Sequence, residues 1–143
     1  MRVFEVAVLE NPVKATIEIP GSKSFTNRAL VMAALTKGQV TLYNPLYSED
    51  TEVMIECLRK LGLRIQVLPD QIIVYDDISS IQDRAYELFA KDSGTTLRFL
   101  LALLCMTPGT QVIRGSVRLS ERPIKDLVNA LRALGDIIDY LSK

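Results

Sequence analysis

The stretch Cys57-Leu-Arg-Lys-Leu-Gly-Leu-Arg-Ile-Gln-Val-Leu68 decides how the chain is organised, because it recurs as Ala130-Leu-Arg-Ala-Leu-Gly-Asp-Ile-Ile-Asp-Tyr-Leu141. Six of the 12 positions are identical at a spacing of 73 residues. Two shorter matches keep the same order: Arg28-Ala-Leu30 matches Arg98-Phe-Leu100, and Ser48-Glu-Asp-Thr51 matches Ser120-Glu-Arg-Pro123. Chance similarity between two helices does not usually keep order and spacing over whole units, so the sequence predicts an internal repeat.

The first copy is predicted to be a βαβαββ unit over residues 13–75. Val13-Lys-Ala-Thr-Ile-Glu-Ile19 alternates apolar and polar residues, which is typical of a half-buried strand, and Pro20-Gly21 ends it. Helices are predicted at residues 22–36 and 48–61, and further strands at 39–43, 63–68 and 72–75.

The second copy restarts this order over residues 86–143. It predicts strands at 86–89 and 110–114, helices at 95–106 and 123–134, and the beginning of a strand at 137–141. Because this copy stops before its final strand, we interpret residues 1–143 as a partial single α/β domain with a truncated second unit. A repeat unit that cannot cover its own apolar face needs a neighbour, so we expect exposed apolar surface or self-association.

The composition of the chain excludes several classes of function. Lys plus Arg and Asp plus Glu each total 17, and this zero net charge weighs against a nucleic-acid or membrane-surface partner. The chain has no His, which excludes a Ser-His-Asp triad and a histidine-ligated metal site. We expect no metal.

The two cysteines and the hydrophobic runs bear on location. Cys57 and Cys105 lack metal-ligand spacing and lie in apolar runs, so we expect free thiols in a reducing cytoplasm, with a disulfide as the alternative. The chain shows no signal-peptide pattern at its start and no uninterrupted apolar run that is long enough to span a membrane. We therefore expect a soluble cytoplasmic protein.

The first of three cationic clusters is Pro20-Gly-Ser-Lys-Ser-Phe-Thr-Asn-Arg28. Lys23 lies in the first turn of a predicted helix, where a cation opposes the helix dipole by roughly 0.3–1 kcal/mol. With Ser22, Ser24 and the free backbone N–H groups it forms a potential anion pocket. Arg28 lies about one turn beyond Ser24 and can face the same ligand. The alternative is a solvated lysine and an arginine that extends along the surface.

The second cluster is Lys91-Asp-Ser-Gly-Thr-Thr-Leu-Arg98. Gly94 lets a ligand approach the backbone closely because it has no Cβ. Thr95 and Thr96 can donate to a phosphate or a carboxylate. The alternative is an ordinary helix start that is capped by Asp92 or Ser93.

The third cluster is Arg118-Leu-Ser-Glu-Arg-Pro123. Proline favours the first helical position, which predicts Arg122 at the N-cap. Arginine is a poor cap but a good fork for a carboxylate or phosphate, and a solvated loop arginine is the alternative. Cations at three predicted helix starts in a neutral chain indicate a small polyanionic substrate with phosphate and carboxylate groups.

These clusters resemble the 5-enolpyruvylshikimate-3-phosphate synthase family of the shikimate pathway of aromatic amino-acid biosynthesis. Pro20-Gly-Ser-Lys-Ser-x-x-Asn-Arg-Ala-Leu30 is similar to its signature, and Ser48-Glu-Asp-Thr51 resembles its Ser-Asp-Asp-Thr segment. Asp92-Ser-Gly-Thr-Thr-Leu-Arg98 resembles its Asn-Ala-Gly-Thr-x-x-Arg loop, and Arg118-x-x-Glu-Arg-Pro-Ile124 its Arg-Met-x-x-Arg-Pro-Ile segment. The resemblance covers residues 13–141 in the family's order.

The resemblance implies a transferase that moves the enolpyruvyl group of phosphoenolpyruvate onto the 5-hydroxyl of shikimate 3-phosphate and releases phosphate, without a cofactor. It implies a fold of two domains, each with three βαβαββ units in an inverse α/β barrel-like arrangement. By motif position, shikimate 3-phosphate would meet Lys23, Ser24, Arg28 and Thr95. Phosphoenolpyruvate would meet Lys23, Gly94 and Arg122, and Asp50 would line the cleft.

Two departures and one absence qualify this resemblance. Asp92 stands where the family usually has Asn, and Glu49 replaces the first Asp of its pair. Family members are much longer, and their proton-transferring carboxylates lie in parts that this chain lacks, so no catalytic acid or base is expected here. We therefore expect an N-terminal fragment that is inactive without a complementary chain. The alternatives are an anion-binding module without turnover that needs a complementary chain, and a structural repeat with solvated cations.

Overall fold

The chain adopts a mixed α/β fold in a computed structural model that describes residues 3–9 and 11–141. The first half contains α1 (Lys23–Leu35), β1 (Val40–Tyr43), α2 (Glu49–Lys60), β2 (Ile65–Val67) and β3 (Gln71–Val74), followed by a 3-10 turn at Ile78–Ser80. The second half contains β4 (Tyr86–Phe89), α3 (Gly94–Leu104), β5 (Gln111–Arg114), α4 (Val117–Ser120) and α5 (Lys125–Ala133). The predicted α/β class is confirmed. None of the helices in the described ranges has the length and apolar character needed to cross a membrane.

The strands form two small sheets. In the first, β3 lies between β1 and β2 and is antiparallel to both, with Val74 opposite Val40 on one side and Ile65 on the other. In the second, β4 and β5 are parallel, with Tyr86 opposite Gln111, and α3 provides the crossover between them. Parallel strands need such a crossover, and a short loop joins the end of β4 at Phe89 to the start of α3 at Gly94.

The hydrophobic core joins both halves of the described chain. Leu30 of α1, Met54 and Leu58 of α2, Leu88 of β4 and Leu100 of α3 are all fully buried. Burying one such side chain contributes about 1.5–3 kcal/mol, so this cluster fixes α1 and α3 against α2. The N-termini of α1 and α3, which carry the first two cationic clusters, are thereby held next to each other.

The helix starts follow from local capping. The Ser22 hydroxyl accepts from the Phe25 amide at 3.4 Å, and the Ser93 hydroxyl accepts from the Thr96 amide at 3.2 Å. Of the two caps considered for the third helix, Ser93 is therefore the one used, while Asp92 accepts a hydrogen bond from the Ser116 hydroxyl.

The strands expected at the two ends of the chain are wrong. Residues 13–19 form no strand, and Val13, Ile17 and Ile19 are 67%, 78% and 78% exposed. Within the described residues no strand lies beside this segment. Its backbone therefore forms no inter-strand hydrogen bonds, and no other element in the described part of the chain packs against its apolar side chains. Residues 137–141 likewise form no strand, and Ile137 is 95% exposed.

The predicted start of the helix at residues 123–134 is wrong. Ser116 caps a short helix, α4, by accepting from the Leu119 amide at 3.1 Å, and Arg122 closes the following turn by donating its amide to the Leu119 carbonyl at 3.0 Å. The N-cap of α5 is Ile124, not Arg122. Arg122 therefore lies in the turn between the two helices.

Hydrogen bonds repeat at the spacing that the sequence repeats. Arg59 Nε and Nη2 donate to the Ile65 carbonyl at 3.1 and 2.6 Å, and Arg132 donates through the same two nitrogens to the Ile138 carbonyl. The glycines that follow α2 and α5, Gly62 and Gly135, have φ values of 111° and 109°. This recurrence supports an internal repeat, while the unit boundaries at 13–75 and 86–143 stay predictions.

Gly62→Ala is expected to lower the free energy of unfolding by about 1–2 kcal/mol, because an L-residue is strained in the left-handed region. No atom lies within 4 Å of the position that a Cβ would occupy, so the effect is one of backbone conformation and not of a clash. Urea unfolding measures it, with the exposed helical variant Lys60→Ala as the control. A Gly62→Ala chain as stable as Lys60→Ala would contradict this account.

Candidate functional site

A cleft of about 190 Å³ lies between the first turns of α1 and α3, and its lining residues are Ser24, Arg28, Thr95, Arg98 and Phe99. Three of these, Ser24, Arg28 and Thr95, are among the candidate residues of the sequence analysis. They come from motifs about 70 residues apart in the chain, which the packing of α1 and α3 brings together. The cleft combines two helix N-termini with guanidinium groups, an arrangement suited to anions.

Lys23 is paired with Asp50 across the first turns of α1 and α2. Its Nζ lies 2.9 Å from Oδ2 of Asp50, with the lysine side chain 49% exposed and the aspartate side chain 24% exposed. The carboxylate offsets the unfavourable position of a cation at a helix N-terminus. A pair this accessible contributes about 0–1 kcal/mol, so an anion can compete for the ammonium group at small cost.

Arg28 lies beside an aromatic ring that the sequence analysis did not select. The guanidinium carbon is 5.9 Å from the centroid of the Phe99 ring, within the range of a cation–π contact. In the described part of the chain Arg28 has no ion-pair partner. The ring holds the guanidinium at the cleft without using its hydrogen-bond donors.

Two arginine side chains lie against the backbone of Gly94, where the sequence predicts the close approach of a ligand. A Cβ at this position would lie 2.8 Å from Nη1 of Arg98 and 3.0 Å from Nη1 of Arg122. Two guanidinium groups therefore rest against the same glycine. Arg122 reaches it from the turn after α4, so the third cluster joins the second.

Arg98 and Thr96 have roles that spacing alone did not show. Arg98 donates from Nη1 to the Gly94 carbonyl at 3.0 Å and from Nη2 to the Pro123 carbonyl at 2.7 Å. Thr96 is fully buried and its hydroxyl donates to the Asp50 carbonyl at 3.1 Å, so it joins α3 to α2 instead of facing a ligand. Pro123 and Asp50 are distant from Arg98 and Thr96 along the chain and leave no periodic signal, so only the folded chain reveals these two contacts.

Two further polar residues stand out near the cleft. Asn27 is fully buried, and neither polar atom of its side chain has a partner among the described residues. Leaving such a group unsatisfied costs about 1–3 kcal/mol. Asp92 is exposed and is bound by the Ser116 hydroxyl, which ties the glycine loop to the start of α4.

The thiols lie outside the cleft. Cys57 and Cys105 are both free, with Cys57 buried and Cys105 half-buried. Burial raises the pKa of the Cys57 thiol, and desolvation with a nearby Asp136 raises the pKa of Cys105 to about 11. The raised pKa values make both thiols weakly reactive. Separately, the described residues contain no group of three or more His, Cys, Asp or Glu side chains that could hold a metal ion.

Comparison with known proteins gives one consistent result. Residues 9–143 match the family model of EPSP synthase (3-phosphoshikimate 1-carboxyvinyltransferase). A 3-phosphoshikimate 1-carboxyvinyltransferase of Nostoc sp. is 42% identical over 142 residues, which cover 98% of this chain and 33% of that protein. One from Paraburkholderia phytofirmans is 45% identical over 125 residues, which cover 87% of this chain and 29% of that protein.

The solved structures agree on the fold. EPSP synthase from Acinetobacter baumannii superposes with a TM-score of 0.81 at 24% identity, covering 89% of this chain and 29% of that one. The chain thus spans about a third of the length of the curated relatives it matches. Its described part has the fold of one portion of these enzymes, and the chain belongs to the EPSP synthase (3-phosphoshikimate 1-carboxyvinyltransferase) family.

Proposed function

We propose that this chain supplies a substrate-binding surface for enolpyruvyl transfer from phosphoenolpyruvate to shikimate 3-phosphate. The observation that carries the proposal is the convergence of Arg28, Arg98 and Arg122 on the N-termini of α1 and α3 in a chain of zero net charge. Cations gathered in this way favour a small ligand with several negative charges.

The proposed residue roles follow the two sides of the cleft. Ser24, Arg28 and Thr95 would hold shikimate 3-phosphate, and Gly94 and Arg122 would hold phosphoenolpyruvate. Lys23 would serve both substrates. Asp50 is not among the residues that line the cleft, and it would keep Lys23 in place through the 2.9 Å ion pair until a substrate competes for it.

Turnover is proposed to need a complementary polypeptide. The five residues that line the cleft include no carboxylate and no imidazole, and Asp50 is already engaged with Lys23. Addition of a hydroxyl across the enolpyruvyl double bond needs an acid and a base, which together with water exclusion would come from the second chain. An anion-binding module without turnover is the second candidate, and the same lack of acid–base groups favours it.

Exposed apolar surface supports the complementary partner. A groove of about 480 Å³ lies between α1 and the edge strand β1, where Phe25, Met32 and Tyr43 are 74%, 66% and 77% exposed. A large exposed apolar patch indicates an interaction surface. We propose that the complementary polypeptide covers it, and that copies of the chain self-associate when it is missing.

The location is proposed to be the cytoplasm. Free thiols at Cys57 and Cys105 are typical of a reducing compartment. The zero net charge and the position of the cations in a small cleft favour small-molecule substrates over nucleic acid.

Titration calorimetry with shikimate 3-phosphate tests the proposed function directly. We expect saturable, salt-sensitive binding to the purified chain, because its cations act through a solvent-open cleft. Circular dichroism establishes that the same sample is folded. A folded chain that produces no binding heat would contradict the proposal and favour a structural repeat with solvated cations.

Gly94→Ala is expected to weaken phosphoenolpyruvate binding by about 10-fold, because the added methyl group displaces the guanidinium ends of Arg98 and Arg122. The displaced atoms end flexible side chains, so the thermal midpoint should change little. Fluorescence competition with phosphoenolpyruvate measures the affinity, and Gln82→Ala, at an exposed neutral position outside the cleft, is the control. Equal affinity of the Gly94→Ala chain and the wild type would remove Gly94 from the site.

A further inference from the structure

We propose that Arg98 is a positioning residue that holds Arg122 in the orientation needed for the phosphoenolpyruvate side of the cleft. This inference rests on the proposed function and adds a residue that the motif-based assignment of substrate contacts did not include. It is drawn from the two carbonyl groups that Arg98 bridges.

The two hydrogen bonds of Arg98 join distant parts of the chain. Nη1 donates to the Gly94 carbonyl at 3.0 Å, in the first turn of α3, and Nη2 donates to the Pro123 carbonyl at 2.7 Å, in the turn before α5. A planar guanidinium presents its donors in a fixed fork and can satisfy both acceptors at once. A lysine ammonium on a flexible stem offers no such fork.

The contact with the Pro123 carbonyl bears directly on the position of Arg122. Pro123 directly follows Arg122 and its ring fixes its own φ, so holding the Pro123 carbonyl limits movement of the backbone next to Arg122. The other described side-chain hydrogen bonds of this region, through Ser116 and Ser120, hold α4 and do not reach residues 121–124. Among the described residues, Arg98 thus provides the side-chain hydrogen bond to this turn.

The charges explain why such a restraint is needed. Nη1 of Arg98 and Nη1 of Arg122 lie 2.8 and 3.0 Å from the position that a Cβ of Gly94 would occupy, and two like charges this close repel each other. With no restraint, Arg122 would swing towards solvent. The two carbonyl oxygens engage Arg98, which leaves Arg122 as the guanidinium whose donors face an incoming anion.

The test compares Arg98→Lys, which keeps the charge, with wild type and with Arg84→Lys. Arg84 stacks on Tyr86 at the opposite end of β4, so it provides a matched arginine outside the cleft. We expect Arg98→Lys to lose about 10-fold in affinity for phosphoenolpyruvate. Affinity for shikimate 3-phosphate should fall less than affinity for phosphoenolpyruvate, because Arg28 and Ser24 keep their positions. Arg84→Lys should match the wild type for both ligands.

A second measurement needs no ligand. The NMR backbone order parameter of the Arg122 amide should fall from about 0.85 in the wild type towards about 0.6 in Arg98→Lys, while values in α2 stay unchanged. Guanidinium ion at millimolar concentration should restore both order and phosphoenolpyruvate affinity in Arg98→Ala, with equal sodium chloride as the control.

The outcomes separate this inference from the proposed function. Weaker phosphoenolpyruvate binding with an unchanged order parameter would show that Arg98 contacts the anion directly, and would overturn a positioning role. Unchanged binding and unchanged order would also overturn it. A wild type that binds neither substrate would contradict the proposed function, while the order parameter would still decide whether Arg98 holds the turn.

Discussion

Mixed with phosphoenolpyruvate and shikimate 3-phosphate, the purified 143-residue chain is expected to release no phosphate above background, and a complementary polypeptide is expected to restore release. The physical reason is the missing acid–base pair. Each general acid or base step contributes about 10²–10⁴-fold to a rate, and the cleft lining offers none. The complementary polypeptide is the remaining two thirds of a relative such as the Nostoc enzyme, expressed separately.

Phosphate release is followed with both substrates present, first with each polypeptide alone and then with the mixture. Lys23→Ala in the mixture is the control, because it removes a cation that both substrates are proposed to use. Strong turnover by the chain alone that disappears in Lys23→Ala would contradict the need for a partner. It would place the acid and the base within these residues.

Arg28→Ala is expected to weaken shikimate 3-phosphate binding by about 10- to 150-fold, which corresponds to the loss of a charge-assisted hydrogen bond of about 1.5–3 kcal/mol. Arg28 lines the cleft, and the Phe99 ring supports its guanidinium while leaving the donors available. Arg28→Lys should also weaken binding, because a single ammonium cannot form the two parallel hydrogen bonds of a guanidinium.

Titration calorimetry at fixed ionic strength measures this loss, since the contribution of an exposed cation depends on salt. Arg84→Ala removes the same charge at the far end of β4 and should leave the affinity within about 2-fold of wild type. Equal weakening in both variants would indicate a general charge effect. Unchanged affinity in Arg28→Ala would exclude Arg28 from the site.

Helices α1, α2 and α3 were elements that the sequence predicted well. The start of α2 combines Glu49 and Asp50 in its first turn, and its end combines Lys60 with a glycine in the left-handed region. These helix-start and helix-stop signals depend only on residues close together in the chain, so they can be recognised from the sequence alone. The pattern at residues 13–19 is equally regular, yet a strand also needs a partner, and no strand in the described residues provides one.

The site was predictable in its charges and not in its contacts. The sequence indicated Lys23 because a cation is unusual in the first turn of a helix, and Arg122 because arginine is unusual at a predicted N-cap. Both signals are local. Phe99 contacts Arg28 of another helix through the face of its ring. Arg98 contacts a backbone carbonyl, and because every residue has one, the sequence does not single out this acceptor. Such partners depend on how α1, α3 and the turn before α5 pack together.

We expect the ion pair between Lys23 and Asp50 to disfavour singly charged anions at the cleft modestly, since an accessible pair contributes about 0–1 kcal/mol. The Asp50 carboxylate lies 2.9 Å from the Lys23 ammonium and offsets much of its charge, so chloride or a singly charged organic acid is attracted only weakly. We expect a dianion that also engages the neighbouring arginines to draw Lys23 off its carboxylate. Discrimination then depends on how many cations a ligand recruits together, and Asp50→Asn should make the cleft less selective for highly charged ligands.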